Sequence, residues 1–289
     1  MSKGTDSSAA RGSSLVWLLL APMIAIHAIA FVWPITNLVI LSFRKTGSGG
    51  VILPGWSFMS WSNVLTDVYY LEMLIRTIAL SLVITGITLV LSYPIALFLH
   101  RVSDRWRSLF LVMCISPLLL SAVVRTYGWL VILGDGGFVS SILETFGIPA
   151  PKMMFNQFGV VVGLTEILMP YMILSLYAGF GRLTAALEEA AGSLGARPHL
   201  VFLRVILPIT LPGVYLGCLL TFVLAVSSFI TPKILGGGRV ALLATEIYDQ
   251  AVITLDWSVA GVLSLIALII FGAALAIYGK ISRSEEENA

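Results

Sequence analysis

Long apolar runs separated by short polar segments dominate the chain. Six runs carry few or no charged side chains and reach the length of about 20 residues that an α-helix needs to cross a hydrocarbon core of about 30 Å. The runs cover residues 15–43, 73–99, 109–133, 158–180, 205–231 and 257–278. We therefore predict an all-α integral membrane protein with six transmembrane helices.

The first run follows a short polar tail, an arrangement that also occurs in secretory signal peptides. With 29 residues it is longer than the roughly 7–15 apolar residues of such a signal, and no cleavage pattern of small residues closes it. We interpret this run as a retained membrane span.

The composition agrees with a membrane protein. The 289 residues are 58% hydrophobic and 11% charged, against roughly 25% charged residues in an ordinary soluble domain, and the mean hydropathy is +0.99. This balance argues against a soluble enzyme, a disordered chain and a nucleic-acid-binding protein, whose basic surfaces need more Lys and Arg. The net charge of +2 is too small to imply an acidic partner, and two cysteines in apolar surroundings predict neither a disulfide framework nor a thiolate metal cluster.

Lys and Arg are unequally distributed between alternate loops. Because cytoplasmic loops of membrane proteins carry an excess of Lys and Arg, the cluster Arg101, Arg105 and Arg107 predicts that its short loop is cytoplasmic. With six spans, both termini then lie in the cytoplasm. The predicted regions are a cytoplasmic tail at 1–14, a transmembrane domain at 15–280 with a long cytoplasmic loop at 181–204, and a cytoplasmic tail at 281–289.

The loop at 181–204 is predicted to contain a short amphipathic helix outside the membrane, over residues 183–194, which are mostly strong helix formers. Its apolar positions are Leu183, Leu187, Ala190, Ala191 and Leu194. Its flanking charges are Glu188, Glu189 and Arg197. Gly195 is a candidate left-handed C-cap, and Pro198 is suited to begin a second helix. Small Ala side chains allow another backbone to approach closely, so this surface suits docking into a groove of a partner protein.

A spaced motif runs through this loop and into the next span. Glu189-Ala190-Ala191 is followed after three residues by Gly195, then by Val205 and Leu207-Pro208. The pattern resembles the EAA loop of permease subunits of binding-protein-dependent ABC importers, with Val205 in place of the family's isoleucine. The resemblance implies the type I importer (MetI-like) permease fold and a coupling helix that sits in a cleft of a cytoplasmic ATPase. The implied coupling residues are Leu187, Glu188, Glu189, Ala190, Ala191, Leu194, Gly195 and Arg197.

Other short motifs extend the resemblance over most of the chain from about residue 70, towards the spermidine/putrescine branch of these permeases. They are Tyr93-Pro94, Arg125-Thr126-Tyr127-Gly128, Leu168-Met169-Pro170-Tyr171, Leu211-Pro212-Gly213 and Asp256-Trp257. The resemblance implies uptake of a small organic solute, with a polyamine favoured, across a bacterial inner membrane. The implied partners are two ATPase subunits, a second permease chain and a periplasmic substrate-binding protein, besides the lipid bilayer. Opines, phosphonates and amino-acid-like solutes are alternative substrates.

The sequence contains no recognisable catalytic motif. It lacks a phosphate-binding loop, since the Gly279-Lys280 pair is followed by Ile281. The three histidines have no metal-ligand spacing. We therefore predict a non-catalytic subunit without a metal or cofactor of its own, and the resemblance implies that ATP and Mg²⁺ are bound by the partner ATPase.

Two charged residues lie deep within predicted spans, Arg125 in the third and Glu166 in the fourth. An ionisable group inside a membrane is costly unless it finds a partner or water, so both are functional candidates. They either line the substrate pathway or form a salt bridge that locks the two helices together. Tyr127 and Tyr171 are further pathway candidates.

The predicted outer loops carry acids and bases that have two interpretations. The residues are Asp135, Glu246, Asp249, Asp256, Lys233 and Arg239. They either contact an extracytoplasmic binding protein or form an ordinary solvated surface, since exposed ion pairs signify little by themselves.

Two other classes of membrane protein are alternatives. An ion-coupled secondary transporter needs an ion site, for which Glu166 is the intramembrane carboxylate, and transport without any ATPase would favour it. A structural or signalling membrane protein needs no pathway, and unchanged uptake after deletion of the chain would favour that class.

Overall fold

A computed structural model describes residues 6–181 and 183–288, without the side chains of residues 6–19, 48, 185, 188, 192 and 284–288. The α-helices of the described residues are, in chain order, α1 (Asp6–Ser42), α2 (Met59–Thr66), α3 (Val68–Arg101), α4 (Asp104–Ile115), α5 (Ala122–Leu133), α6 (Phe138–Thr145), α7 (Gln157–Phe180), α8 (Ala185–Ser193), α9 (Pro198–Val201), α10 (Leu207–Val226), α11 (Ile230–Leu235), α12 (Leu243–Tyr248) and α13 (Trp257–Asn288). Between α1 and α2, strands β1 (Lys45–Thr46) and β2 (Ile52–Leu53) pair antiparallel, with Lys45 opposite Leu53.

Within the described residues, six helical segments are long and apolar enough to cross a membrane, as the sequence predicts. Helices α3, α7 and α13 contain the second, fourth and sixth predicted spans, and α1 contains the first except for Phe43. The helical regions extend beyond the apolar runs, because α1 begins at Asp6 and α13 ends at Asn288. Side-chain caps fix some of the starts: Asp67 accepts a hydrogen bond from the Tyr69 backbone N–H, and Asn156 accepts one from that of Gly159.

The third span differs from the prediction of one continuous helix at 109–133. Helix α4 ends at Ile115, a 3₁₀ turn covers Ser116–Leu119, and α5 begins at Ala122. Pro117 cannot donate a backbone hydrogen bond to the preceding turn, and Leu120 adopts an extended conformation. Ser121 then caps α5 through the Val123 N–H, so the apolar segment long enough to cross a membrane is 122–145.

The fifth span also has different bounds from the predicted 205–231. It starts as α9, passes through a π-helical turn over Phe202–Ile206, and continues as α10 to Val226. Pro208 follows this wide turn, where the missing proline N–H and the i→i+5 pattern interrupt the regular helical ladder. Of the rest of the predicted span, residues 227–229 lie between the helices, and Ile230 and Thr231 begin the separate helix α11.

The core of the bundle lies where α7 packs between α3 and α10. Near the end of α7 that leads into α8, Gly179 and Gly213 bring the backbones of α7 and α10 into direct contact: a Cβ added to Gly213 would lie 2.8 Å from the Gly179 Cα. Helix α1 packs on α13, where Gly261 faces the backbone of Leu38 and Ser42. These close approaches hold the spans without large side chains between them.

The segment after α10 folds back onto the end of the bundle opposite α8. Leu235 of α11 is fully buried against Gly163 and Gly159 of α7. The turn after α11 contains Gly237 and Gly238 with positive φ, and the ring of Phe155 packs onto Gly237. The segment is thus part of the hydrophobic core rather than a loose connection between spans.

Candidate functional site

Helix α8 projects from the bundle between the fourth and fifth spans. Ala191 and Ala196 pack against a core cluster that includes Phe180, while Leu187 and Glu189 are exposed. Leu194, at the C-terminal end of α8, is 89% exposed. The helix therefore rests on the bundle by its small residues and presents an uncovered surface that contains large apolar side chains.

The sequence predicts a longer apolar face for this helix than the structure has. Leu183 lies before α8 and is buried in the core, so it does not share a surface with Leu187 and Leu194. The reason is tertiary: the chain must turn after α7, and the Leu183 N–H bonds to the Phe180 carbonyl within that turn. Glu188 lies in α8, but its side chain is outside the described part of the structure.

The end of α8 has the predicted geometry. Gly195 has a φ of +77°, the left-handed conformation expected of a C-cap, and the Ala196 N–H bonds to the Ala191 carbonyl. An added Cβ at Gly195 would meet no atom of the described chain within 4 Å. Arg197 is exposed and precedes α9, which begins at Pro198 as predicted. Backbone conformation, rather than crowding within the chain, is what requires glycine at position 195.

An aromatic cluster lies beneath α8 and joins three spans. The ring of Tyr93 in α3 packs edge-on against Phe180 in α7 and Phe202 in the π-helical turn, each with a centroid distance of 5.5 Å. The Tyr93 hydroxyl is 2.8 Å from the Thr210 hydroxyl in α10. These side-chain contacts link the bundle beneath α8 to α3, α7 and α10, so a movement of α8 is passed on to these helices.

Arg125 and Glu166 form an ion pair between α5 and α7. Arg125 Nη1 lies 3.4 Å from Glu166 Oε1, and the side chains are 10% and 32% exposed. The Trp129 indole N–H donates a hydrogen bond of 3.2 Å to Glu166 Oε2. Arg125 Nε is buried without a hydrogen-bond partner within the described chain. The pair joins α5 to α7, and the Glu166 side chain remains partly exposed.

The other two pathway candidates do not join this pair. At about 100° per residue, Tyr127 lies roughly 200° around α5 from Arg125, and Tyr171 lies roughly 140° around α7 from Glu166. Both tyrosine side chains are exposed on the single chain. Trp129 was not predicted, although its position one helical turn after Arg125 places both side chains on the same face of α5.

The pathway candidates and α8 are well separated along the bundle. Glu166 lies roughly 21 Å from the Phe180 end of α7, at about 1.5 Å per residue. Among the described residues, no three His, Cys, Asp or Glu side chains come together in a group that could hold a metal ion.

In the segment after α10, acidic and basic side chains are held by hydrogen bonds and an ion pair. Glu246 is only 6% exposed and accepts hydrogen bonds from the Tyr69 hydroxyl and the Gln250 amide. Lys233 pairs with Asp249 across the segment. A solvated-surface interpretation is therefore wrong for Glu246, because burial and two hydrogen bonds fix its carboxylate.

A bundle of helices long and apolar enough to span a membrane, with a short helix projecting between two of them, has the architecture of a multi-pass membrane protein. Residues 92–282 match the family model described as "Binding-protein-dependent transport system inner membrane component". The chain belongs to this family. It is a multi-pass inner membrane protein and a permease subunit of an ABC importer, as the sequence motif predicts.

The relatives and a solved structure agree with this assignment. The spermidine/putrescine transport system permease protein PotB of Escherichia coli (strain K12) is 34% identical over 221 residues, covering 76% of this chain and 80% of the relative. PotB of Haemophilus influenzae (strain ATCC 51907 / DSM 11121 / KW20 / Rd) is 29% identical over 273 residues, covering 94% and 91%. A chain from the crystal structure of a bacterial alginate ABC transporter, in complex with alginate pentasaccharide-bound periplasmic protein, superposes with a TM-score of 0.74 at 15% identity, covering 97% and 98%. The predicted type I importer permease fold is confirmed.

Proposed function

We propose that this chain forms the membrane pathway of an ATP-driven polyamine importer together with a second permease chain. Two ATPase subunits bind ATP and Mg²⁺ on the cytoplasmic side, and a periplasmic binding protein delivers the substrate. The permease itself is not catalytic, and both termini and α8 face the cytoplasm. The observation that carries this proposal is the uncovered surface of α8, which bears Glu189 and Ala190 of the motif and ends at Gly195.

Helix α8 acts as the coupling helix in this proposal. Leu187, Leu194 and Ala190 contact the ATPase cleft with their exposed side chains, while Glu188, Glu189 and Arg197 supply charged contacts around it. The left-handed Gly195 ends the helix without a side chain, so a partner backbone can approach closely there. Ala191 faces the bundle and fixes α8 to the core.

Transport then follows from a change in the population of two conformations. ATP binding brings the ATPase subunits together and moves α8, and the aromatic contacts of Tyr93, Phe180 and Phe202 pass this movement to α3, α7 and α10. ATP shifts the equilibrium only as far as its affinity differs between the two conformations.

The substrate assignment rests on the PotB relatives and on the chemistry of the pathway candidates. A polyamine carries several ammonium groups, which are attracted by carboxylates and by aromatic faces. The Glu166 carboxylate, partly exposed beside Arg125, is the candidate for contact with a passing amine. Tyr127 and Tyr171 are exposed on other helix faces and are candidates for contact with the substrate before or after it passes Glu166.

Reconstitution tests this function directly. The complete transporter, with its binding protein, is placed in proteoliposomes and offered labelled spermidine or putrescine with and without ATP. We expect uptake that requires both ATP and the binding protein. Uptake without an ATPase, or ATP-dependent uptake of an opine, a phosphonate or an amino acid with none of spermidine, would refute the corresponding part of the proposal.

The coupling role has its own test in the same system. We expect Glu189→Arg to abolish ATP-dependent uptake while membrane insertion stays intact, because the substitution reverses a charge on the docking surface. Glu144→Arg, the same charge reversal at an exposed position of α6, is the matched control and retains uptake. Normal uptake by Glu189→Arg would contradict a coupling role for this surface.

A further inference from the structure

Lys233 of α11 is held in an environment suited to an alkylammonium ion. Its Nζ lies 2.5 Å from Asp249 Oδ1 and 2.7 Å from Oδ2, so one carboxylate holds the ammonium with both oxygens. The same ammonium lies 5.9 Å from the centroid of the Tyr248 ring, which is packed against Phe229 at 4.5 Å. A carboxylate combined with an aromatic face is a general arrangement for binding a primary ammonium.

A second carboxylate lies close by in the sequence and is held by neutral groups. Glu246 is buried, and its hydrogen bonds come from the Tyr69 hydroxyl at 2.6 Å and the Gln250 amide at 2.8 Å. Neither donor neutralises the Glu246 charge. These hydrogen bonds leave Glu246 as a further carboxylate in the segment that carries the Lys233–Asp249 pair.

Helix α11 connects this ammonium position with the intramembrane ion pair. Two residues before Lys233, the Thr231 hydroxyl is 2.9 Å from the Thr126 hydroxyl of α5. Thr126 is the neighbour of Arg125, which pairs with Glu166. Helix α11 thus contacts Asp249 through Lys233, and through Thr231 it contacts the helix that carries Arg125.

We propose that Lys233 is a built-in competitor for a substrate amine. Its ammonium occupies the position formed by Asp249 and Tyr248, and an amine of the arriving substrate takes its place, which releases α11 from Asp249. The Lys233 and Asp249 side chains are 32% and 33% exposed, so an amine in solution has access to them, and such partly exposed pairs are weak enough to exchange. This inference rests on the proposed amine substrate.

Two substitutions at the same ion pair separate this role from a purely structural one. Lys233→Met removes the competing charge and keeps the side-chain length, while Asp249→Asn removes the acceptor charge and keeps the shape. If the pair only holds the fold together, both variants break it and change amine binding in the same direction. If Lys233 is a competitor, Lys233→Met tightens amine binding and Asp249→Asn weakens it.

The measurement is equilibrium binding of labelled spermidine to the purified complete transporter in lipid nanodiscs, without the binding protein. We expect the dissociation constant to fall at least tenfold in Lys233→Met and to rise at least tenfold in Asp249→Asn. Arg239→Met, which removes a nearby exposed positive charge of the same segment, controls for a general change in potential and should match the unmodified protein. Lys233→Gln replaces Lys233→Met if the latter does not fold.

n-Butylamine serves as a second probe because it reports on a single ammonium position. Equal shifts in Lys233→Met and Asp249→Asn, or no detectable binding of either amine to Lys233→Met, would overturn the inference. If n-butylamine binding follows the expected order while proteoliposomes take up no spermidine, the proposed substrate is wrong and the competitor role of Lys233 stands for a different amine. Failure of the inference with normal spermidine uptake leaves the proposed function intact.

Discussion

Gly179 and Gly213 form a direct backbone contact between α7 and α10, whose contribution to stability can be measured. A Cβ added to Gly213 would lie 2.8 Å from the Gly179 Cα, 2.8 Å from the Ser175 carbonyl oxygen and 3.1 Å from the Gly179 backbone nitrogen. All three neighbours are backbone atoms, which cannot rotate away as a side chain does. In Gly213→Ala, α7 and α10 must therefore separate by several tenths of an ångström.

A second glycine, Gly272, provides the comparison for the change in the free energy of unfolding caused by Gly213→Ala. Overpacking of this kind costs about 1–3 kcal/mol, and replacing Gly by Ala in a helix returns about 0.5–1 kcal/mol of backbone entropy. Gly272 of α13 has no atom of the described chain within 4 Å of an added Cβ, so Gly272→Ala carries the entropy gain alone. The difference between the two variants isolates the packing cost of about 1–3 kcal/mol, or roughly a 5- to 140-fold change in the unfolding equilibrium.

The assay is unfolding of the purified protein in mixed micelles of increasing SDS fraction, followed by labelling of Cys114 and Cys218. Both thiols are free and only partly exposed in the folded chain, so labelling reports loss of structure. We expect Gly213→Ala to unfold at a lower SDS fraction than the unmodified protein and Gly272→Ala to unfold no earlier than it. Coincident unfolding of the two variants would refute the inferred backbone contact.

Three further outcomes follow from the structure. Gly195→Asp should lose ATP-dependent uptake in proteoliposomes while retaining insertion, because Asp tolerates the left-handed conformation better than most residues, whereas its carboxylate occupies the docking surface; normal uptake would count against a coupling role. Glu166→Gln should unfold at a lower SDS fraction than Arg125→Met, because it leaves the more deeply buried Arg125 charge without its counter-ion; the reverse order would contradict this. The double variant Arg125→Met/Glu166→Gln should recover part of the stability lost in Glu166→Gln, as a double-mutant cycle measures.

The long spans and the coupling segment could be predicted because their signals are local. An apolar run of sufficient length is a helix wherever a membrane surrounds it, so α3, α7 and α13 follow from hydropathy alone. Gly195 and Pro198 also act locally, through φ and a missing N–H, and both are found in the predicted roles. The pairing of Arg125 with Glu166 was one of two predicted interpretations, because a buried charge needs a counter-ion.

Features that depend on packing between distant segments could not be predicted in the same way. The segments on both sides of Pro117 are mostly apolar, so hydropathy does not mark a helix end there. The interruption of the third span comes from the backbone geometry of the 3₁₀ turn. The burial of Leu235 and Glu246 arises because the segment after α10 folds back onto α7 and α3, and no local pattern marks that return. Leu183 shares the helical period of Leu187, yet the turn after α7 places it in the core.

Photo-crosslinking can show whether the uncovered surface of α8 binds an ATPase subunit. A photoreactive amino acid is placed at Leu194, which is 89% exposed at the end of α8, or as a control at Leu275, which is 57% exposed on α13. After illumination of native membranes that contain the whole transporter, we expect a covalent adduct with the ATPase subunit from position 194 and none from position 275. Absence of that adduct at position 194, or equal adducts at both positions, would show that this surface is not where the ATPase binds.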